Sequence, residues 1–134
     1  MKKYKKISTV ILLVAIMLLH TVTMALAATT DTFSLTLPNQ QEVKTLGKGT
    51  KGTNDLYSKV KVTGGNVNYI YASAYNGSNN ITEDVEVMIS NGASEPTKLW
   101  YSDSYSNITK GKSITIKAYQ KNVRARTASG DLVY

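Results

Sequence analysis

The sequence is poor in the residues that build most metal and catalytic sites. Its 134 residues include no cysteine, a single histidine at position 20 and only two prolines. The lack of cysteine excludes disulfides and thiolate nucleophiles, and one histidine is too few for the usual zinc sites. A Ser-His-Asp triad needs a histidine, and His20 lies in a segment that we expect to be removed. We therefore expect no metal and no cofactor.

The apolar run near the N-terminus is short. MKKYKK places four lysines ahead of the apolar residues 10–19, and the small residues MALAA follow. This order is typical of a secretory signal peptide. Ten apolar residues are about half of the ~20 that a transmembrane helix needs, which disfavours an uncleaved anchor. We predict a signal peptide over residues 1–27, with cleavage after Ala27 or, alternatively, Ala28.

The predicted mature chain carries little net charge. Four of the 16 basic residues lie in the signal segment, which leaves 12 against 9 acidic residues, a net charge of +3. We therefore expect no nucleic-acid partner. Residues 28–134 have the length of one domain. The cysteine-free composition and lysine-rich start favour a Gram-positive bacterial protein that is extracellular or loosely cell-surface associated, without a stable membrane anchor after cleavage.

Alternation of apolar and polar residues, rather than helical spacing, runs through residues 28–134. Short segments with this period, separated by Gly, Asn and Ser turns, predict an antiparallel β-sandwich of about seven strands, Ig-like or jelly-roll-like. Gly64-Gly65 predicts a tight hairpin, and residues 39–55 read as a long polar Gly/Lys loop, either mobile or crossing between sheets. The predicted strands cover residues 32–37, 59–62, 67–75, 84–89, 98–106, 114–119 and part of 123–134.

Two local patterns suggest chemistry but lack the context for it. GKGTKG at 47–52 matches a dinucleotide-binding pattern, yet a strand rather than a helix is predicted after it. This stretch contains Lys48 and Lys51, and Lys44 lies just before it. We interpret these lysines as part of a solvated loop, in preference to a site of contact with an anionic surface. Asp84 and Glu86 could share a strand face and hold Ca²⁺ with added carbonyl oxygens, but a polar sheet face is favoured. A glycosidase with two carboxylates would need a deep cleft, so we predict no enzymatic activity.

Basic residues dominate the C-terminal quarter, whereas residues 82–103 are acidic. One interpretation, which we favour, is that neighbouring strands pair these charges across the sheet. The other is a free patch that attracts teichoic acids, anionic lipid headgroups or an acidic partner. The candidate residues for anionic-surface contact are Lys110, Lys112, Lys117, Lys121, Arg124 and Arg126.

Tyrosines mark the segment VNYIYASAYN. They alternate with Ile70, Ala72 and Ala74, which form an apolar face suited to close packing against a second sheet. An exposed aromatic strip could stack on sugar rings or a protein partner. In the reverse arrangement, which we favour, the tyrosines pack inward with their hydroxyls at the rim, as in ordinary sandwich packing, and β-propensity explains their presence. Such a strip would form only if the strand over residues 67–75 and the strand over residues 98–106 share a sheet. The candidate residues are Tyr69, Tyr71, Tyr75, Trp100, Tyr101 and Tyr105.

The C-terminal segments KGKSITIKAYQKN and TASGDLVY resemble those of small exported β-rich proteins of Gram-positive bacteria with no assigned activity. This resemblance implies secretion and a sandwich fold, and it assigns no site. We predict a non-enzymatic module that binds an anionic cell-wall polymer, a glycan or a protein partner. The alternative is a bacteriocin-like protein that acts on a competitor's envelope. Edge strands permit a dimer.

Overall fold

The computed structural model describes residues 28–90 and 95–134, so the predicted signal peptide lies outside the described residues. Within these ranges one 3₁₀ turn, Asp103–Tyr105, interrupts a series of strands. No helix in the described part of the chain is long and apolar enough to cross a bilayer. The strands are β1 Thr30–Leu37, β2 Lys44–Thr50, β3 Tyr57–Gly65, β4 Tyr69–Asn76, β5 Asn79–Asn80, β6 Val85–Met88, β7 Thr97–Trp100, β8 Ser113–Tyr119 and β9 Arg126–Val133.

Two antiparallel sheets pack face to face, which confirms the predicted β-sandwich. Sheet A has the order β1-β9-β3-β7, and sheet B has the order β2-β8-β4-β5 with β6 also paired to β4. The core between them is built from the apolar side chains of both inner faces, among them Leu37, Val60, Ile70, Ile116 and Leu132. All seven predicted strand regions contain a strand, and β2 and β5 are additional.

Alternating burial along each strand follows the alternation in the sequence. In β8 every second residue is buried, beginning with Ile114, and the residues between them are partly exposed. In β4 the buried side chains include Ile70, Ala72 and Ala74, so the tyrosines of this strand lie on the outer face of sheet B. The favoured interpretation from the sequence, that they pack inward, is therefore wrong. Small inward side chains let the two sheets approach closely at this point.

Residues 39–55 differ from the predicted polar loop, because β2 lies within them and pairs with β8. The chain crosses from β1 in sheet A to β2 in sheet B and returns to β3 in sheet A, which confirms the predicted alternative that this stretch crosses between the sheets. The glycines of GKGTKG have a packing role, since a Cβ on Gly47 or Gly49 would lie within 2.6 Å of atoms of Tyr134. Their small size makes room for this buried C-terminal ring.

The predicted hairpin at Gly64-Gly65 is also wrong. β3 belongs to sheet A and β4 to sheet B, so these consecutive strands are not paired with each other. Both glycines instead pair with β9, opposite Ser129 and Ala128. Gly65 has φ +114° and its Cβ position lies 2.2 Å from a backbone oxygen, so the position requires glycine because the chain leaves the sheet there.

The sheets are joined by backbone contacts near the β7 edge. An isolated bridge connects Thr82 with Tyr101, and the Ser102 amide donates to the Ile81 carbonyl at 2.9 Å. These contacts hold the segment before β6 against the segment after β7. Residues from both sheets therefore line one cavity on the outside of the sandwich, among them Val85 of β6 and Trp100 of β7.

Candidate functional site

The outer face of sheet B carries a group of tyrosines flanked by charges of both signs. We call this surface the tyrosine face. It forms because β4 lies between β6 and β8, so that Tyr71 is directly opposite Glu86 on one side and Tyr119 on the other. Its residues are Tyr69, Tyr71, Tyr75, Asp84, Glu86, Lys117, Tyr119 and Lys121.

The rings are in contact with one another. Tyr71 and Tyr119 are stacked, with centroids 5.3 Å apart and an interplanar angle of 18°. Tyr69 meets Tyr71 edge-on at 5.6 Å. Both arrangements are favoured geometries for aromatic pairs. The stacked pair spans two neighbouring strands and gives the face a continuous aromatic centre.

Two lysines lie over these rings. Lys121 Nζ is 4.0 Å from the Tyr71 centroid, and Lys117 Nζ is 4.1 Å from that of Tyr75. Cation–π contacts at exposed sites contribute about 0.5–1 kcal/mol each. They hold the ammonium groups at defined positions, where their N–H donors still reach solvent.

The tyrosine hydroxyls connect the face to two carboxylates. The Tyr71 hydroxyl donates to Glu86 Oε2 and the Tyr119 hydroxyl donates to Asp84 Oδ2, both at 3.0 Å. Desolvation by burial, followed by the hydrogen bond to Asp84, raises the pKa of Tyr119. The favoured interpretation that the acidic and basic segments lie on neighbouring strands is wrong, because β4 separates β6 from β8. The two segments are connected through the tyrosines of β4 and β8 instead.

The six residues predicted as one aromatic strip are divided among four environments. β4 and β7 belong to different sheets, so the condition for a single strip is not met. Trp100 lies on the outer face of sheet A and is 58% exposed, whereas Tyr101 is buried in the core. Tyr105 packs against the core from the 3₁₀ turn. Only Tyr69, Tyr71 and Tyr75 share a surface.

Tyr119 completes that surface, although sequence reasoning did not select it. The signal was available, because Tyr119 has the same parity along β8 as Lys117, which was selected. The sequence did not indicate that β8 pairs with β4. That pairing joins residues 71 and 119, which are far apart along the chain.

The six C-terminal basic residues are spread over the molecule. Lys110 and Lys112 precede β8, and Lys121 and Arg124 follow it. The strand between them is about 20 Å long at ~3.3 Å per residue. Arg126 begins β9 in sheet A, opposite Leu37. They therefore do not form one patch, and of the six only Lys117 and Lys121 join the tyrosine face; anionic contact stays a prediction.

Of the lysines in the predicted loop, Lys51 is buried, which corrects its placement on a solvated surface. Its side chain is 1% exposed, its Nζ donates to the Tyr57 carbonyl at 3.2 Å, and it lies 5.0 Å from the Tyr101 centroid. Desolvation lowers the pKa of Lys51, and Asp55 opposes this shift. Lys44 forms a salt bridge with Glu42, and Lys48 is exposed.

The described residues contain no group of three or more acidic or histidine side chains that could hold a metal ion. Asp84 and Glu86 accept hydrogen bonds from tyrosines, as described above. Glu83 lies apart from them, in an open cavity with Trp100.

Comparisons with known proteins give no relative on which to base a function. No family model matches the sequence, and the searches of curated proteins and of solved structures find no match. The fold defines the chain as an all-β sandwich protein, and its function has to be argued from its own surface.

Proposed function

We propose that the chain is a secreted, non-enzymatic binding module that holds an anionic polymer of the bacterial cell envelope against the tyrosine face. The stacked pair of Tyr71 and Tyr119 with Lys121 over it is the observation that supports this most directly. Such a surface offers aromatic side chains to the apolar side of sugars and ammonium groups to phosphates or carboxylates.

A polymer suits this surface better than a small ligand. The tyrosine face is an open sheet surface and not an enclosed pocket, and its tyrosines extend from Tyr69 to Tyr75 along β4, next to the lysines on and after β8. Each contact on such an open face is weak. A repeating chain can engage several of them at once, and the second and later contacts benefit from a high effective concentration.

Sedimentation of the mature chain with purified wall polymer tests the proposal. Tyr71→Ser removes the stacked ring, and we expect about two- to tenfold weaker binding, since aromatic contacts contribute about 0.5–1.5 kcal/mol. Tyr71→Phe is the matched control, because it keeps the ring and loses only the hydroxyl bond to Glu86. Retained binding by the Ser variant, with the fold intact by circular dichroism, would contradict the proposal.

The charged part of the interaction is tested by lysine substitutions. Lys121→Gln and Lys117→Gln should each weaken binding about two- to fivefold at low salt, since surface ion pairs contribute at most about 1 kcal/mol. The difference should vanish at high salt. Lys112→Gln makes the same charge change away from the face and serves as the control. Equal losses in all three variants would show that net charge alone drives the interaction.

Two further results would redirect the interpretation. Growth inhibition of other bacteria by the purified mature chain, without retention on walls, would favour the bacteriocin-like alternative. Release of reducing ends from the polymer, abolished by one Glu or Asp substitution, would show an enzyme. N-terminal sequencing of the exported form should begin at residue 28 or 29.

A further inference from the structure

Trp100 stands on the opposite side of the sandwich from the tyrosine face, on the edge strand β7. It is directly across from Tyr57 of β3, and the two rings meet edge-on with centroids 4.8 Å apart. The tryptophan is 58% exposed. A large aromatic side chain this exposed, yet held in place by a second ring, is a common feature of binding sites.

Two lysines surround these rings on one side. Lys98 Nζ lies 4.6 Å from the Tyr57 centroid and 5.3 Å from that of Trp100, and Lys59 Nζ lies 5.5 Å from Tyr57. Lys59 and Lys98 are directly opposite in the β3–β7 register, where like charges destabilise a sheet. Among residues 28–90 and 95–134, no carboxylate forms a salt bridge with either. Their pairing is explained if a bound anion offsets the repulsion.

Carboxylates lie on another side of the same tryptophan. Trp100 lines an open cavity of about 450 Å³ together with Glu83, Val85, Ser102 and Asp103. The backbone contacts between Ser102 and Ile81 and between Thr82 and Tyr101 fix the walls of this cavity. An ammonium group placed there would meet two negative charges and an aromatic ring.

We propose that this site binds a zwitterionic group in which a phosphate and an ammonium are a few ångströms apart, as in phosphocholine. Lys59 and Lys98 receive the phosphate, and the ammonium rests on Trp100 between Glu83 and Asp103. Indole is the best ring for cation–π binding, which is the usual means of recognising quaternary ammonium. Neither a simple anion nor a simple cation uses both halves of this charge arrangement. The site shares no residue with the tyrosine face and does not depend on the function proposed there.

The chain contains a single tryptophan among nine tyrosines, so fluorescence excited at wavelengths that tryptophan absorbs and tyrosine does not reports on this site alone. We expect phosphocholine to change the Trp100 emission and to bind about tenfold more tightly than methyl phosphate or choline, its two halves. This factor corresponds to one additional contact of about 1.4 kcal/mol. Equal affinities for phosphocholine and methyl phosphate, or no change in emission with any of the three, would overturn the proposal.

Two double variants separate the halves of the site. Lys59→Gln with Lys98→Gln should reduce phosphocholine affinity to that of choline. Glu83→Gln with Asp103→Asn should reduce it to that of methyl phosphate. Lys117→Gln, on the tyrosine face, should leave the titration unchanged while weakening polymer binding, so the two proposals fail separately. Similar losses with all three variants would overturn the assignment of this site.

The natural source of the group is either a lipid headgroup or a decorated polymer. Phosphatidylcholine vesicles and a soluble polymer coupled to phosphocholine present the same chemistry, and the tighter binder identifies the source. If the protein binds both the vesicles and the polymer, and if each double variant loses both interactions, the result supports the site whichever source is the natural one. Retention that survives both double variants would overturn the proposal.

Discussion

At the scale of single residues, the C-terminal tyrosine shows how the two sheets are fitted together. Tyr134 is 2% exposed and lies against Gly47 and Gly49 of β2, where a Cβ would approach its ring to 2.4 Å at position 49. Gly47 and Gly49 therefore have a steric reason to be glycine. The resemblance of residues 47–52 to a dinucleotide-binding loop has no functional meaning, because the stretch begins inside β2 and is followed by the strand β3 instead of a helix.

A first prediction concerns this contact. Gly49→Ala should lower the free energy of unfolding by about 1–3 kcal/mol, as overpacking of a core does, measured by urea denaturation. In a Tyr134→Leu background the same substitution should cost clearly less, because the ring that it meets is gone. Thr50→Ala, exposed on the same strand, is the control. Equal costs in both backgrounds would contradict this account.

A second prediction concerns a buried amide. The Gln120 side chain is fully buried; its Nε2 donates to the carbonyls of Pro38 and Arg124, and its Oε1 accepts from the Asn122 amide. Gln120→Leu leaves these backbone groups without partners, and we expect a loss of about 2–3 kcal/mol in the free energy of unfolding.

The matched control for that substitution is Val123→Ala in the same loop, whose side chain is 78% exposed. It should change the free energy of unfolding by less than about 0.5 kcal/mol. If Gln120→Leu were equally mild in urea denaturation, the amide would not be what holds the loop between β8 and β9.

At the scale of elements, the strands that alternate strongly were predictable and those that do not were missed. β8 and β4 carry alternating apolar residues and appear where expected. β2 reads KTLGKGT and has one buried apolar side chain, Leu46. Its place depends on pairing with β8 and on the Tyr134 ring, and neither partner is near it in the sequence. Local alternation therefore had no means of indicating it.

Amide hydrogen exchange tests the strand character of this segment. The Lys51 amide, directly after β2, donates to the Lys112 carbonyl at 2.8 Å. We expect it to exchange at least about 100-fold more slowly than the amide of exposed Asn54, since its opening requires β2 to separate from β8. Similar rates at both positions would show that residues 44–51 form a mobile loop after all.

At the scale of the whole molecule, several buried ionisable groups make stability depend on pH. Desolvation raises the pKa of Tyr134 to about 12, with a contribution from Asp31, and burial also raises the pKa of Tyr101. A tyrosine whose folded pKa is raised binds its proton more tightly when folded, so stability falls as pH rises above about 10. Lys51 acts oppositely, since its pKa is lowered and stability rises with pH toward 10.5.

We therefore expect the melting temperature to fall between about pH 10 and pH 12, in scans by circular dichroism. Tyr134→Phe keeps the ring and removes the titrating hydroxyl, so it should reduce the fall. It should also raise the free energy of unfolding by about 1 kcal/mol at neutral pH, because the Tyr134 hydroxyl has no hydrogen-bond partner in the described residues. If the melting temperature of this variant fell as much as that of the unmodified protein over the same pH range, groups other than Tyr134 would be responsible for the decrease.

The sequence by itself determined that the chain is a sandwich of antiparallel strands, because side chains on a strand point to opposite faces and alternation lets the apolar face be buried. It did not decide which face of β4 is buried, because neither face is polar enough, and the structure places the tyrosines on the outer face. Only the tertiary structure decided which strands are neighbours. Pairing of β8 with β4 in sheet B brings Tyr119 to Tyr71, and pairing of β7 with β3 in sheet A places Trp100 on the other side of the molecule, because the hydrogen bonds that set strand order join residues far apart in the chain.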